Sequence, residues 1–169
     1  LANNYVKPKF PIILTVEDLK DLEIKTRSAV RNAIFCLLAL KEPKHFRNST
    51  SVALDYAICS DYNAPQKHHI FPKAFLKSNG VRHRNLLMNF AFIPAELNLL
   101  ISDSKPSEYF TEFKGENNTG FDEALKSHFI ESGSGSPIWS DDYDRFIKLR
   151  ARAIAGVIES VTRQKVATD

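Results

Sequence analysis

The chain has 169 residues, 43% of them hydrophobic and 25% charged, enough to bury a core of its own and most simply read as one domain. No apolar run approaches the roughly 18 residues that span a bilayer, and the first residues lack the basic-then-apolar layout of a secretory signal. Two cysteines, Cys36 and Cys59, argue against a zinc-finger pair or a disulfide framework; each lies among apolar neighbours that suit a buried thiol.

A reducing cytoplasm is therefore the expected compartment. The start on Leu1 rather than Met suggests a piece of a longer protein. A net charge of +3 is too small to argue for a polyanionic partner, but its distribution is informative. Between Tyr62 and Ala95 stand Lys67, Lys73, Lys77, Arg82 and Arg84 with no Asp or Glu, so this window carries +5 and the rest of the chain −2.

In chain order, residues 1–14 contain Pro8 and Pro11 and read as an extended arm. Thr15-Val16-Glu17-Asp18 has the layout of a capping box with Asp in place of Glu. Val16, Leu19 and Leu22, then Val30, Ala33, Ile34, Leu37 and Leu38, recur at helical spacing and predict one long helix or two in succession, stopped by Pro43. Residues 51–60 alternate Val52, Leu54, Tyr56 and Ile58 with smaller or polar residues, a strand pattern, and Asn63-Ala64-Pro65 turns the chain.

Next comes Lys67-His68-His69-Ile70-Phe71-Pro72, an apolar strand-like run opening on adjacent histidines. Ala74-Phe75-Leu76 follows as a helical turn, with His83 between two arginines as a surface residue. A second apolar run starts at Asn89, and Pro94 opens a helix that carries Asn98 and is anchored by Leu97, Leu100 and Ile101. Pro106 starts another helix with Tyr109, Phe110 and Phe113 inward, before a turn-rich stretch from Gly115 to Gly120. Phe121, Leu125 and Phe129 mark one more, where His128 reads as structural. After the loop 132–137, Ser140 is placed to cap a last helix with Tyr143, Ile147, Ile154, Ile158 and Val161 on one face and Arg145, Lys148, Arg152 and Arg163 on the others.

The residues from 67 to 98 carry the chemistry. Hydrolysis of a phosphodiester needs a group that deprotonates water and a cation that neutralises charge on phosphate and leaving oxygen. Histidine suits the first role, having an ordinary pKa of about 6.5, and the Asn carbonyl is a neutral oxygen ligand for a hard cation. Adjacent residues of a regular strand point to opposite faces, so both histidines can serve one site only at a strand end or irregularity, or from opposite sides of the phosphate.

The opening His68-His69-Ile70-Phe71-Pro72, with Asn89 and then Asn98 nine positions later, resembles the HNH, or His-Me finger, nucleases. Together with Lys105-Pro106-Ser107-Glu108-Tyr109-Phe110 it resembles the HNH module of GmrSD-type restriction enzymes, over roughly residues 63–113. The resemblance implies an α+β fold, a mostly helical domain around a ββα-metal hairpin. Residues 1–62 would be the arm and helical part, 63–113 the core and 114–169 the C-terminal helices. It implies a DNA endonuclease of a restriction or phage-defence protein, with His69 as general base and Asn89 holding it. His68 and Asn98 would be ligands of a divalent metal, Mg²⁺ or Mn²⁺ first and Zn²⁺ or Ni²⁺ as alternatives.

Many relatives have Asp where His68 stands, which leaves the metal open. Lys67, Lys73, Lys77, Arg82, Arg84 and Lys105 are the expected DNA contacts. An N-terminal sensing or NTPase domain outside this chain is the expected partner, with no membrane. Two rivals stay open: a catalytically degenerate HNH-like module that grips nucleic acid or a partner, and a zinc staple built on the two histidines.

Overall fold

The computed structural model describes residues 13–24, 28–54 and 67–167. It is a mostly helical α+β domain. Two short helices, α1 (Val16–Asp21) and α2 (Ala29–Leu40), precede a two-stranded antiparallel sheet of β1 (Lys67–His69) and β2 (Phe90–Phe92). Helix α3 (Lys73–Ser78) and a 3-10 turn (Leu87–Asn89) lie between the strands. The helices α4 (Ala95–Ile101), α5 (Pro106–Glu116), α6 (Phe121–Ser127) and α7 (Tyr143–Thr162) follow. Among the described residues no helix is long and apolar enough to cross a membrane.

Local chemistry explains most of these boundaries. Thr15 accepts from the Asp18 backbone N–H while the Asp18 carboxylate accepts from Thr15 N, a complete capping box, and α1 begins there. The N-terminal helical region is two helices, the second capped by the Ser28 side chain. α7, with Tyr143, Phe146, Ile147, Ala151, Ile154 and Ile158 on one buried face, packs against α1, α2 and the 3-10 turn. Phe35 of α2 meets Phe92 of β2 with ring centroids 5.8 Å apart. Phe71 is enclosed by Tyr143 and Phe146 at 5.4 and 4.9 Å, which seats the residue after Ile70 against α7.

Several sequence expectations shift. α7 is capped by Asp142, whose carboxylate accepts from Arg145 N, and not by Ser140. Val161 is 68% exposed and Leu100 50%, so neither anchors its helix. Pro94 is the residue before α4 rather than its first, α5 runs on through Gly115 to Glu116, and Phe129 lies past the end of α6 with a φ of 57°. Cys36 is exposed, because α2 turns that face away from the core. In the stretch 51–60, Ser51 forms one bridge with Lys44 and 52–54 are irregular. The rest of that strand, the arm before Ile13, the turn at Asn63 and Cys59 lie outside the described residues.

Candidate functional site

β1 is three residues long and ends on His69. His68 stands opposite Ala91 and His69 opposite Phe90. One further bond, Ile70 N to Asn89 O at 2.8 Å, extends the ladder before the backbone bends at Ile70 and Phe71. The second histidine is thus at the strand end, where the alternation of faces need not continue.

Asn89 is fully buried, and its amide makes a two-point bond to one residue of the opposite segment. Oδ1 accepts from Phe71 N at 2.8 Å and Nδ2 donates to Phe71 O at 2.9 Å. Only a carboxamide offers a donor and an acceptor side by side in this spacing, so it substitutes for a rung of the sheet where the chain has bent away. Tyr109 of α5 donates its hydroxyl to Ile70 O at 2.7 Å. The two residues after His69 are therefore tied down from both sides.

A third brace comes from α7. Arg150, 1% exposed, donates from Nη1 to Met88 O at 2.7 Å and Phe90 O at 2.5 Å, the carbonyls flanking Asn89, and from Nε to His128 O at 3.0 Å. Burial pushes this guanidinium down to about 9, still a cation at neutral pH, and its buried Nη2 has no hydrogen-bond partner among the described residues. A charge so placed is tolerable because carbonyl dipoles converge on it.

The His69 ring packs on Phe90 at 4.1 Å. Burial first, then the Lys73 charge, lowers its pKa to about 4, while hydrogen bonding by the Asn85 side chain and the Arg84 backbone opposes the shift. Asn85 is itself fixed, since its carbonyl accepts from Ile24 N at 2.9 Å. The Nε2 atom of His69 is buried and has no hydrogen-bond partner among the described residues. At neutral pH this is a neutral imidazole, the form of the ring that can act as a base.

His68 is half-buried on β1, and Asn98 is half-buried on α4, the helix separated from β2 by Ile93 and Pro94. An imidazole and an amide oxygen are two neutral donors. Among the described residues no three His, Cys, Asp or Glu side chains come together.

Of the expected DNA contacts, Lys73, Lys77 and Arg82 are exposed, on α3 and the loop after it. Arg84 is half-buried and donates Nη1 to Val81 O at 2.6 Å. Lys105 is exposed and 3.5 Å from Glu108. Lys67 stands opposite Phe92 on β1, and its side chain lies outside the described residues.

Sequence reasoning missed Asn85, Tyr109 and Arg150 as supports of the site. Arg150 had a readable signal, an arginine inside the apolar stripe between Ile147 and Ile154. Tyr109 reads from sequence only as a core residue, and Asn85 gives no signal of its own.

No family model matches the chain, and no solved structure matches it. Over 151 residues the chain is 30% identical to an uncharacterized protein of Methanocaldococcus jannaschii, a match that takes in 75% of this chain and 24% of the relative. The chain thus spans about a quarter of the length of that curated relative.

Proposed function

We propose that this domain is a metal-dependent DNA endonuclease of the HNH type, the nuclease module of a longer restriction or phage-defence protein. The observation that carries the reading is the Asn89 amide locked onto both backbone groups of Phe71, two residues beyond His69. A buried asparagine on the second strand segment, closing the loop that follows a histidine on the first, has the positioning task that the HNH pattern assigns to its central residue.

In this reading His69, neutral at physiological pH, takes the proton of the attacking water. Asn89, Tyr109 and Arg150 keep the strand end in place, so the ring needs no reorganisation when the proton moves. His68 and Asn98 are the residues that would hold a divalent cation, which when bound supplies charge neutralisation at the phosphate and the leaving oxygen. The exposed Lys73, Lys77 and Arg82 meet the DNA backbone.

A second reading, a module that grips nucleic acid without cutting it, is favoured by the absence of any three-donor His, Cys, Asp or Glu group among the described residues. Plasmid DNA incubated with the protein and added Mg²⁺, Mn²⁺, Zn²⁺ or Ni²⁺ separates the two. Nicking or linearisation that a chelator abolishes and His69→Ala eliminates is expected. Retarded migration of intact plasmid under every metal would establish the binding module instead.

A further inference from the structure

Beside the candidate site lies an open cleft of about 650 Å³, of whose lining the roles above use only Arg82. Its walls are the end of α1, the loop carrying Arg82 and His83, and the first turns of α7. We propose that this cleft is a second stretch of the nucleic-acid track, in which Arg145 and Lys148 of α7, with Arg82, receive the backbone phosphates that flank the cleaved one. The inference rests on the nuclease reading for its partner, DNA.

Charge in the cleft is unevenly spent. Lys20 forms an ion pair with Glu17, and Asp21 and Asp144 add to the field that keeps it protonated. Asp21 and Asp144 stand in the same wall, so the lining holds four cations, Lys20, Arg82, Arg145 and Lys148, against two carboxylates. Arg82, Arg145 and Lys148 line the same cleft and have no ion-pair partner among the described residues. Arg145 and Lys148 are three residues apart on one helix, where like charges face each other and weaken it. Three unpaired cations on a concave wall are what a polyanion relieves, releasing its counterions as it binds.

Position supplies the second argument. His83, in the cleft wall, is two residues from Asn85, whose side chain is near enough to the His69 ring to favour its protonated form. Two residues of chain span at most about 7 Å. The Tyr143 hydroxyl donates to His83 O at 3.0 Å, fastening that loop to α7 itself. With successive phosphates advancing about 3.4 Å along a duplex strand, a strand engaged at His69 passes the cleft within a few nucleotides.

The test is fluorescence anisotropy of a labelled duplex oligonucleotide across a salt series, with chelator present so that nothing is cut. The proteins are the unaltered chain, the double variant R145Q/K148Q and the control R152Q, which changes an exposed arginine of α7 outside the cleft. Removing two phosphate contacts should lower the slope of log affinity against log salt by about 2. The double variant should therefore bind roughly tenfold more weakly at 50 mM salt, relative to its deficit at 200 mM. R152Q should match the unaltered chain, and all three should melt alike.

An unchanged slope in R145Q/K148Q, an equal loss in R152Q, or no binding of duplex by the unaltered chain would each overturn the cleft assignment. The nuclease reading fails separately. If the double variant loses affinity as expected but no metal supports cleavage by the unaltered chain, the cleft stands and the hydrolytic role falls.

Discussion

His69 and His128 are both kept neutral by burial, one at the end of β1 and the other just beyond α6, with pKa values lowered to about 4 and about 3. Their surroundings differ in one respect. His128 Nε2 donates to Lys44 O at 2.8 Å, its ring stacks on Phe46 at 4.6 Å, and its carbonyl accepts from Arg150. His69 has a packed ring too, but its Nε2 is buried and unpartnered. A depressed pKa therefore does not distinguish a working histidine from a structural one.

The comparison breaks most sharply under exchange of the two residues. His69→Ala should lower cleavage by about 10²- to 10⁴-fold, the scale of lost general-base assistance, with little change in duplex affinity or melting. His128→Ala should act the other way, destabilising by about 1–3 kcal/mol through an unpaired carbonyl and lost packing, while correctly folded molecules cut at the normal rate. Cleavage assays paired with urea denaturation read both. If His128→Ala abolished cleavage without loss of stability, the roles assigned to the two rings would be reversed.

Asn89→Ala comes next. It strands the N–H and the carbonyl of Phe71, at about 1–3 kcal/mol for each buried group left unpaired, and it frees the strand end, so stability and turnover should fall together. Asn89→Asp keeps the acceptor and loses the donor, and should recover only part. Normal melting in Asn89→Ala would mean that the clamp does not hold in solution.

Acidification sharpens the comparison further. The unfolded chain protonates a histidine near 6.5 and the folded chain only near 4 and 3, so the unfolded state binds more protons in between. Stability should be level above pH 6.5 and fall as the pH drops below it, by up to about 1.4 kcal/mol per pH unit for each ring. His45 is also lowered by burial, so His69→Gln should remove only the His69 share of that slope between pH 6.5 and 5, as urea midpoints would reveal. For activity, the basic form of His69 persists down to about 4, so kcat/KM should stay flat to pH 5 on this limb. A limb at 6.5 would count against a buried base.

The smallest effect is expected at the cation. Asn98→Ala should raise the metal concentration for half-maximal cleavage about tenfold or more, and His68→Asp should favour Mg²⁺, since carboxylate oxygen suits that ion better than imidazole. Calorimetric titration measures both, and an unaltered affinity in Asn98→Ala would remove that residue from the site.

How far the sequence reaches follows from what each feature depends on. The capping box at Thr15, the Pro106 helix, the two apolar runs and the order strand, strand, helix depend on neighbours in the chain, and each is present as read. The bond from Tyr109 to Ile70 joins residues 39 apart, and those from Arg150 to Met88 and Phe90 join residues 62 and 60 apart. No local pattern encodes such pairs. Periodicity also cannot tell a buried stripe from one left open, which is why Val161 and Leu100 were read inward although they face out. Asn89 lay between these cases, because its partner was implied by a motif and only its two-point geometry had to be seen.

Arg150 also bears on how this domain comes apart. Peeling the hairpin from α7 would leave a guanidinium in the core with its carbonyls withdrawn, a far costlier state than ordinary fraying of a three-residue strand. The two-stranded sheet is thus joined to α7, the longest helix among the described residues, as one cooperative unit. Amide hydrogens of Ile70 and Phe71 should accordingly exchange with solvent only as fast as those in the middle of α7, through the same opening.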